Sequence, residues 1–514
     1  MNVLSGGGAE ARAKRTRYGA FMITGLLAVS LTVVGKLLGF GRDVAISFFF
    51  GANNSTDAFF IANMIPGIMW TAIFVTINVV FLPLYISRRL TSERDAETFA
   101  NEAVQIYLIL ALAVAVACAL GSGAIVHWTA PGAPAATLQL AQTLTLIMAV
   151  GFVFSGYVAV QNAIQQAHGL YQLPLMVPVI NNLLAIVGVV LAAKFGDIKI
   201  AIVAAVLAWV LQAPIQRFQT RRFYSTVWGL AVKAATLRRL ALLSAPVMLG
   251  TFLDQINIYV GIYLAGGLGV GAITHLNYAS RLAMFLATTF SMLVSYFLFP
   301  RLAADAAGSD DRRTARTLAF GMLLVAAATA PAAIVGVVMR HDVVGLVYGR
   351  GALSAAGVAS TATAFAYFSI GIVFVALREI FNRLLFSHQR MVAPLVIGIV
   401  ASVTNFAISK WLSGTMGTAG IALGASTAAV VYLVGQVLVV VAWKPRLISR
   451  ELMIGLAAIA VAVIPAWFAL NRLLPVLASY PILIRLLAAG AIFTLVFVAT
   501  LAPLAWRSGL RRLA

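Results

Sequence analysis

The chain has 514 residues, 62% of them hydrophobic and only 10% charged, with a mean hydropathy of +0.99. No soluble domain has that balance, and too little polar sequence is left for a separate catalytic module. The formal net charge of +21 does not indicate nucleic acid, because charge alone does not name a partner and the bases here are sorted into alternate loops.

In chain order, about fourteen apolar runs reach the ~20 residues that span a hydrocarbon core. They lie near 20–38, 58–86, 103–127, 138–164, 172–193, 200–216, 240–265, 272–299, 317–338, 357–386, 391–411, 418–443, 452–470 and 483–505. The first is read as a retained span, not a signal peptide. It lacks a small-residue cleavage site and carries Lys36, Arg42 and Gly39-Phe40-Gly41, read as a helix break. Basic clusters fall at Arg12–Arg17, Arg88–Arg94, Arg217–Arg239, Arg301–Arg316, Lys444–Arg450 and Arg507–Arg512, whereas 128–137 and 266–271 have no base. This positive-inside pattern predicts a multi-pass inner-membrane protein with both termini cytoplasmic.

A repeat runs through these spans. Asn162, His168 and Pro174 recur about 220 residues later as Asn382, His388 and Pro394 with the same spacing. In each place a helix ends, a turn follows and proline opens the next helix. Phe81-Leu82-Pro83 and Phe297-Leu298-Phe299-Pro300 close spans 2 and 8, and Gln212 and Gln436 fall late in spans 6 and 12. The expected fold is all-α, with two pseudo-symmetric six-helix lobes at 20–225 and 238–443 related by an axis along the membrane normal. An additional helix pair is expected at 451–506, with cytoplasmic tails at 1–19 and 507–514. Two such lobes around a cavity make an alternating-access carrier with its substrate near the midplane. Gly39, Gly41, Pro66, Gly67 and Pro246 are positions where helices 1, 2 and 7 can bend.

Lys36, Arg42, Arg281, Arg378 and Arg383 lie inside or at the ends of these spans. A cation at a helix centre costs roughly 2.5–3.5 kcal/mol on insertion scales, so such residues face a water-filled cavity or a bound anion. An anionic cargo is therefore expected. For Arg383 a helix C-terminal end, where the dipole favours arginine, is the preferred reading. The lone Cys118 excludes a disulfide within the chain. The histidines His127, His168, His275, His341 and His388 show no metal-ligand spacing. No cofactor is expected, and the functional unit is expected to be a monomer.

Residues 35–66 hold a basic residue, Leu-Gly-Phe, Arg-Asp, a Phe-Gly-Ala turn, Thr-Asp-Ala-Phe-Phe and a following proline. This resembles the start of the MurJ/MviN family of lipid II flippases, within the multidrug/oligosaccharidyl-lipid/polysaccharide exporter superfamily. Asn277-Tyr278-Ala279-Ser280-Arg281-Leu282 is similar to the family's Tyr-Ala-Asp-Arg-Leu, and Leu346-Val347-Tyr348-Gly349-Arg350-Gly351-Ala352 to its periplasmic Leu-Phe-Glu-Arg-Gly-Ala-Phe. The resemblance implies a non-enzymatic carrier that moves an undecaprenyl-pyrophosphate-linked sugar outward. It implies cavity roles for Arg42 and Arg281, with Lys36 in place of a family arginine and Asp57 in the same set. Arginine forks suit pyrophosphate oxygens. It also implies that the extra helix pair forms a groove for the polyprenyl tail.

One stretch departs from the family pattern. Where lipid II flippases carry Arg-Arg-Ile-Phe-Ala-Glu-Gly-Ala-Phe in span 2, this chain has Trp70-Thr71-Ala72-Ile73-Phe74-Val75-Thr76-Ile77-Asn78. Arg378 is a candidate to compensate. The departure leaves room for an exopolysaccharide or O-antigen repeat in place of lipid II. A multidrug antiporter of the same superfamily is a further alternative, although it would want acids in the cavity. For coupling, Asp254, Asn405 and Thr427 offer hard oxygen ligands for Na⁺ or a protonatable acid; the membrane potential is another source.

Overall fold

The structure, a computed structural model, describes residues 29–225, 232–307, 310–388 and 390–507. Among these the regular structure is helical throughout. The elements are α1 (29–50), α2 (Asn54–Thr76), a π turn (Ile77–Phe81), α3 (Leu82–Thr91), α4 (Glu93–Leu120), α5 (Ser122–Thr129), α6 (Ala135–Ala167), α7 (Gln172–Phe195) and α8 (Lys199–Thr220). They continue with α9 (Ala234–Ala265), α10 (Ala272–Ala307), α11 (Asp311–Val338), α12 (Arg340–Tyr348), α13 (Ala355–Ser387), α14 (Val392–Met416), α15 (Thr418–Trp443), α16 (Arg450–Leu477) and α17 (Ile482–Arg507). Among the described residues eleven helices are long and apolar enough to cross a membrane, or twelve with the bent pair Ala234–Phe252 and Gln255–Leu268 taken as one span. With α1 and α10, a helix stands at every predicted span position; residues 20–28 of the first lie outside the described ones.

Local chemistry sets the ends. Ser92 caps α4 by accepting from the Asp95 N–H, and Asp310 caps α11 by accepting from the Arg312 and Arg313 N–H groups. Ser354 and Ser449 cap α13 and α16 in the same way. Each cap satisfies donors that the first helical turn leaves open. Gly196 ends α7 at φ 71°, where a side chain would be strained.

The expected break at Gly39-Phe40-Gly41 is absent: α1 runs through it. The glycines serve close packing instead. A Cβ on Gly35 would lie 3.3 Å from Pro178 Cβ, and one on Gly39 would lie 3.3 Å from the Asn182 amide. The Asn182 amide also donates to the Gly35 carbonyl at 3.1 Å. Small residues one turn apart let two membrane helices approach this way.

A real irregularity lies further on. At Ile77–Phe81 the Leu82 N–H donates to the Ile77 carbonyl, five residues back. Pro83 in the first turn of α3 explains it. Its ring would press on the carbonyl four residues earlier, and widening the turn relieves that clash.

The chain divides into two compact units. The first comprises the segment up to Ile46, with 65–122 and 143–249; the second comprises 47–64, 123–142 and everything from Gly250. In the first unit Phe81, Tyr85, Phe99, Tyr107, Tyr224 and Leu240 are buried in one cluster. In the second, α13 packs against α10, α11 and α15, and the α16–α17 pair packs against α11. Phe493 and Phe497 of α17 are buried in that core. A Cβ on Gly455 of α16 would lie 2.5 Å from the Leu323 side chain of α11, so a larger residue there would have to push that side chain aside.

The internal repeat is visible inside each unit. His168 stacks on Phe223 with ring centroids 3.6 Å apart, and His388 meets Trp443 edge-on at 4.8 Å. Both pairs fall at the same offset of 220 residues. At that offset the counterpart of Gln436 is Gln216, not Gln212. Gln216 accepts from Gln165 in the first unit, and Gln436 donates to Asn382 at 2.7 Å in the second. Gln212 instead donates to Asn181.

His168 also meets the Tyr85 hydroxyl at 3.0 Å. Burial, helped by Arg89 and Arg222, pushes its pKa down from the usual 6.5 to about 4. An unfolded imidazole takes up a proton at a higher pH than this one. Its contribution to stability is therefore full above about pH 6.5 and is lost as the pH falls toward 4. We expect His168→Phe to flatten the fall in melting temperature between pH 7 and pH 4.5; an unaltered pH slope would refute this role.

Candidate functional site

The bases predicted to meet an anion lie on three helices. Lys36 and Arg42 are on α1 in the first unit; Arg281 on α10 and Arg378 on α13 are in the second. All four are half-buried. The Arg42 guanidinium donates through Nε (3.2 Å) and Nη2 (3.0 Å) to one oxygen of Asp43, its chain neighbour. That carboxylate is only 5% exposed, so the pair is held together inside the membrane segment. Arg378 lies 5.1 Å over the Tyr432 ring with its Nε 3.7 Å from Glu379, and its carbonyl accepts from Gln436. Arg383, one turn further, is exposed.

Arg281 and Asp57 share one interface. Successive turns of α2 meet successive turns of α10. Asp57 accepts from the Gly271 N–H (2.6 Å), the Thr274 N–H (2.8 Å) and the Thr274 hydroxyl (2.6 Å). Phe60, one turn on, packs edge-on against Tyr278 at 5.8 Å and lies under the Arg281 guanidinium at 5.5 Å. Asp57 is only 3% exposed. It caps the first turn of α10 from a distant part of the sequence, where the helix dipole favours an anion.

The same region holds a backbone clasp. The Ala352 N–H donates to the Phe48 carbonyl at 2.8 Å, the Ser47 hydroxyl to the Tyr348 carbonyl at 3.4 Å, and the Tyr278 hydroxyl to the Gly51 carbonyl at 2.9 Å. Tyr278 stacks on Tyr348 at 4.8 Å. Gly351 sits at φ +89°, and a Cβ there would lie 2.1 Å from the Phe48 carbonyl oxygen. Two of the sequence motifs, Phe50-Gly51-Ala52 and Gly351-Ala352, therefore meet each other. Their glycines are required by that contact.

Of the coupling set, Asn405 is 1% exposed; its amide donates to Asn257 at 3.0 Å and its carbonyl accepts from Ser409 at 3.0 Å. Ser409 also reaches the Ile421 carbonyl. Thr427 donates to its own helix at Leu423 and stays outside this chain of bonds. The Asp254 side chain lies outside the described residues, although its backbone is in α9, one turn before Asn257. Thr274, Asn257 and Ser409 were missed in the sequence. Thr274, just after the Gly269–Gly271 turn that opens span 8, carried a readable signal as a helix-start hydroxyl.

An all-helical chain of apolar spans, with bases held at half-burial inside them, defines a multi-pass membrane carrier. Its fold resembles the structure described as "Lipid II flippase MurJ, inward closed conformation", with a TM-score of 0.78, 19% identity, and coverage of 92% of this chain and 98% of that one. It also resembles an inward-facing multidrug resistance MATE family transporter of the MOP superfamily, with a TM-score of 0.64, 14% identity, and coverage of 81% and 99%. The family model "Lipid II flippase MurJ" matches residues 46–480, and the chain belongs to that family. Relatives include the probable lipid II flippase MurJ of Vibrio cholerae, 23% identical over 79% of this chain and 80% of that protein. The lipid II flippase MurJ of Burkholderia cenocepacia is 23% identical over 78% and 81%, and the Thermotoga maritima relative 23% over 84% and 88%.

The Asp57 cap is testable. Asp57→Asn keeps the shape but removes the charge and one acceptor. It should lower stability by about 1.5–3 kcal/mol, the worth of hydrogen bonds to a charged group. Gly351→Ala should cost about 1–3 kcal/mol through strain at positive φ. Melting of the purified variants in detergent reads both, and wild-type melting would exclude the cap and the clasp as stabilising contacts.

Proposed function

We propose that this protein flips an undecaprenyl-diphosphate-linked sugar, of the lipid II kind, outward across the bacterial inner membrane by alternating access. Family membership over residues 46–480 carries the reading. The half-buried bases Lys36, Arg42, Arg281 and Arg378 support it, because a diphosphate is the part of such a lipid that repays cations held in a membrane. Arg281 and Arg378, both of the second unit, hold the diphosphate through guanidinium forks. Arg42 is aimed by Asp43. Asp57 holds α10 in place beside Arg281 and does not itself touch the anion. The protein works as a monomer without a catalytic step, and both termini are cytoplasmic. The Asn257–Asn405–Ser409 chain next to Asp254 is the place where a cation or proton couples transport.

Reconstituted vesicles loaded with fluorescent lipid II test this. Arg281→Ala should reduce flipping at least about thirtyfold, in line with the 2–5 kcal/mol lost with one partner of a desolvated charge contact, and Arg281→Lys should keep part of it. Asp254→Asn should abolish the response to an imposed Na⁺ or pH gradient. Normal flipping by a properly inserted Arg281→Ala protein would overturn the diphosphate role. Flipping by wild-type protein that ignores every gradient and the membrane potential would overturn the coupling role.

A further inference from the structure

Helix α2 carries a face that the charge argument does not use. From Asp57 to Arg88 the chain has no ionisable acid or base apart from Tyr85. Where the family resemblance leads one to expect a basic pair and an acid, the structure has an aromatic step. Trp70 packs on Trp209 of α8, with ring centroids 4.3 Å apart and planes at 51°, and on Phe74 at 5.6 Å. Phe74 is 37% exposed. Gly67, one turn earlier, is exposed, and a Cβ there would meet nothing within 4 Å. Gly67, Thr71, Phe74 and Asn78 follow the three- and four-residue spacing of one helix face.

The polar atoms on this face are only partly used. The Thr71 hydroxyl donates to the Gly67 carbonyl and the Asn78 amide to the Phe74 carbonyl, each at 2.8 Å. The Asn78 carbonyl oxygen and second N–H remain open. Facing lipid, an unmet amide costs several kcal/mol, so this face is built for water or a polar ligand. Its lack of charge excludes the diphosphate. An apolar ring surface beside amide and hydroxyl groups matches a neutral pyranose, which has one apolar C–H face and a rim of hydroxyl and acetamido groups.

We propose that Trp70, Phe74 and Asn78 form the sugar-selecting surface of this carrier. Trp70 stacks on the first sugar of the lipid-linked substrate, and Asn78 and Thr71 hydrogen-bond its substituents. Trp209 is a positioning residue that fixes the plane of Trp70. The assignment rests on the flippase reading and deepens it: the headgroup beside α2 is a neutral sugar.

The test uses the full-length protein in lipid nanodiscs with two probes, undecaprenyl diphosphate and undecaprenyl-diphosphate-linked N-acetylglucosamine. Wild type should bind the sugar-bearing lipid about tenfold more tightly, the worth of one stacked ring. Trp70→Ala and Asn78→Leu should each bring that ratio close to one and leave binding of the bare diphosphate unchanged, whereas Trp70→Phe should keep most of the preference. Parallel weakening for both lipids would reduce Trp70 to packing and overturn the assignment, as would a ratio that survives both substitutions. So would a face that takes the cationic dye ethidium, lost in Trp70→Ala, with the sugar preference intact. A wild type that binds both lipids equally overturns only the sugar assignment. One that binds neither overturns the flippase reading and this assignment with it.

Discussion

Hydrocarbon offers no hydrogen bonds, so every polar atom that enters it must find a partner within the protein or a ligand. This constraint organises the chain. Most serines and threonines of the spans donate to a carbonyl of their own helix, as Thr329, Ser369 and Thr404 do. Three amide pairs join helices: Gln165 with Gln216, Gln436 with Asn382, and Asn405 with Asn257. Asp57, the one acid of α2, is satisfied three times over by the first turn of α10. Against that background, the bases held at half-burial and the uncharged face around Asn78 are where the substrate is proposed to bind.

The positions of the spans were legible because about 20 apolar residues in a row have few other uses. The repeat was legible because its marks sit at helix ends, where residue choice is tightly limited: His168 and His388 do hold equivalent places. The interior was harder to read. Membrane helices are apolar towards lipid and towards each other, so periodicity does not reveal which face meets which helix. Gly39 and Gly41 looked like a break, yet α1 runs through both, and Gly39 is a packing position against Asn182. Gln212 looked like the partner of Gln436, but Gln216 holds that place.

The site was legible as a set of residue types and not as a set of contacts. Arg42, Arg281 and Asp57 stood out because charge is rare in such segments. The sequence did not show that Asp57 caps a helix more than two hundred residues away, or that Arg42 is paired with its own neighbour. Nor did it show that Trp70 rests on Trp209. Each of these depends on which helices touch. The Gly351-Ala352 motif illustrates the difference: its glycine was noted as a resemblance, and the 2.1 Å approach of the Phe48 carbonyl gives the physical reason for it.

The π turn at Ile77–Phe81 has a consequence for how this helix tolerates length changes. A π turn holds one more residue than the α turn it replaces, so it acts as a store of slack in an otherwise rigid rod. Loss of one residue between 77 and 81 would let the turn close to α geometry and would leave both flanking faces intact. The same deletion elsewhere in α2 or α3 would rotate everything beyond it by about 100°, carrying Tyr85 and Arg89 away from His168 and the end of α6. Closure would still leave Pro83 pressing on the carbonyl behind it. The slack is thus kept in place by the proline, and the helix would shorten without strain only with another residue in place of Pro83.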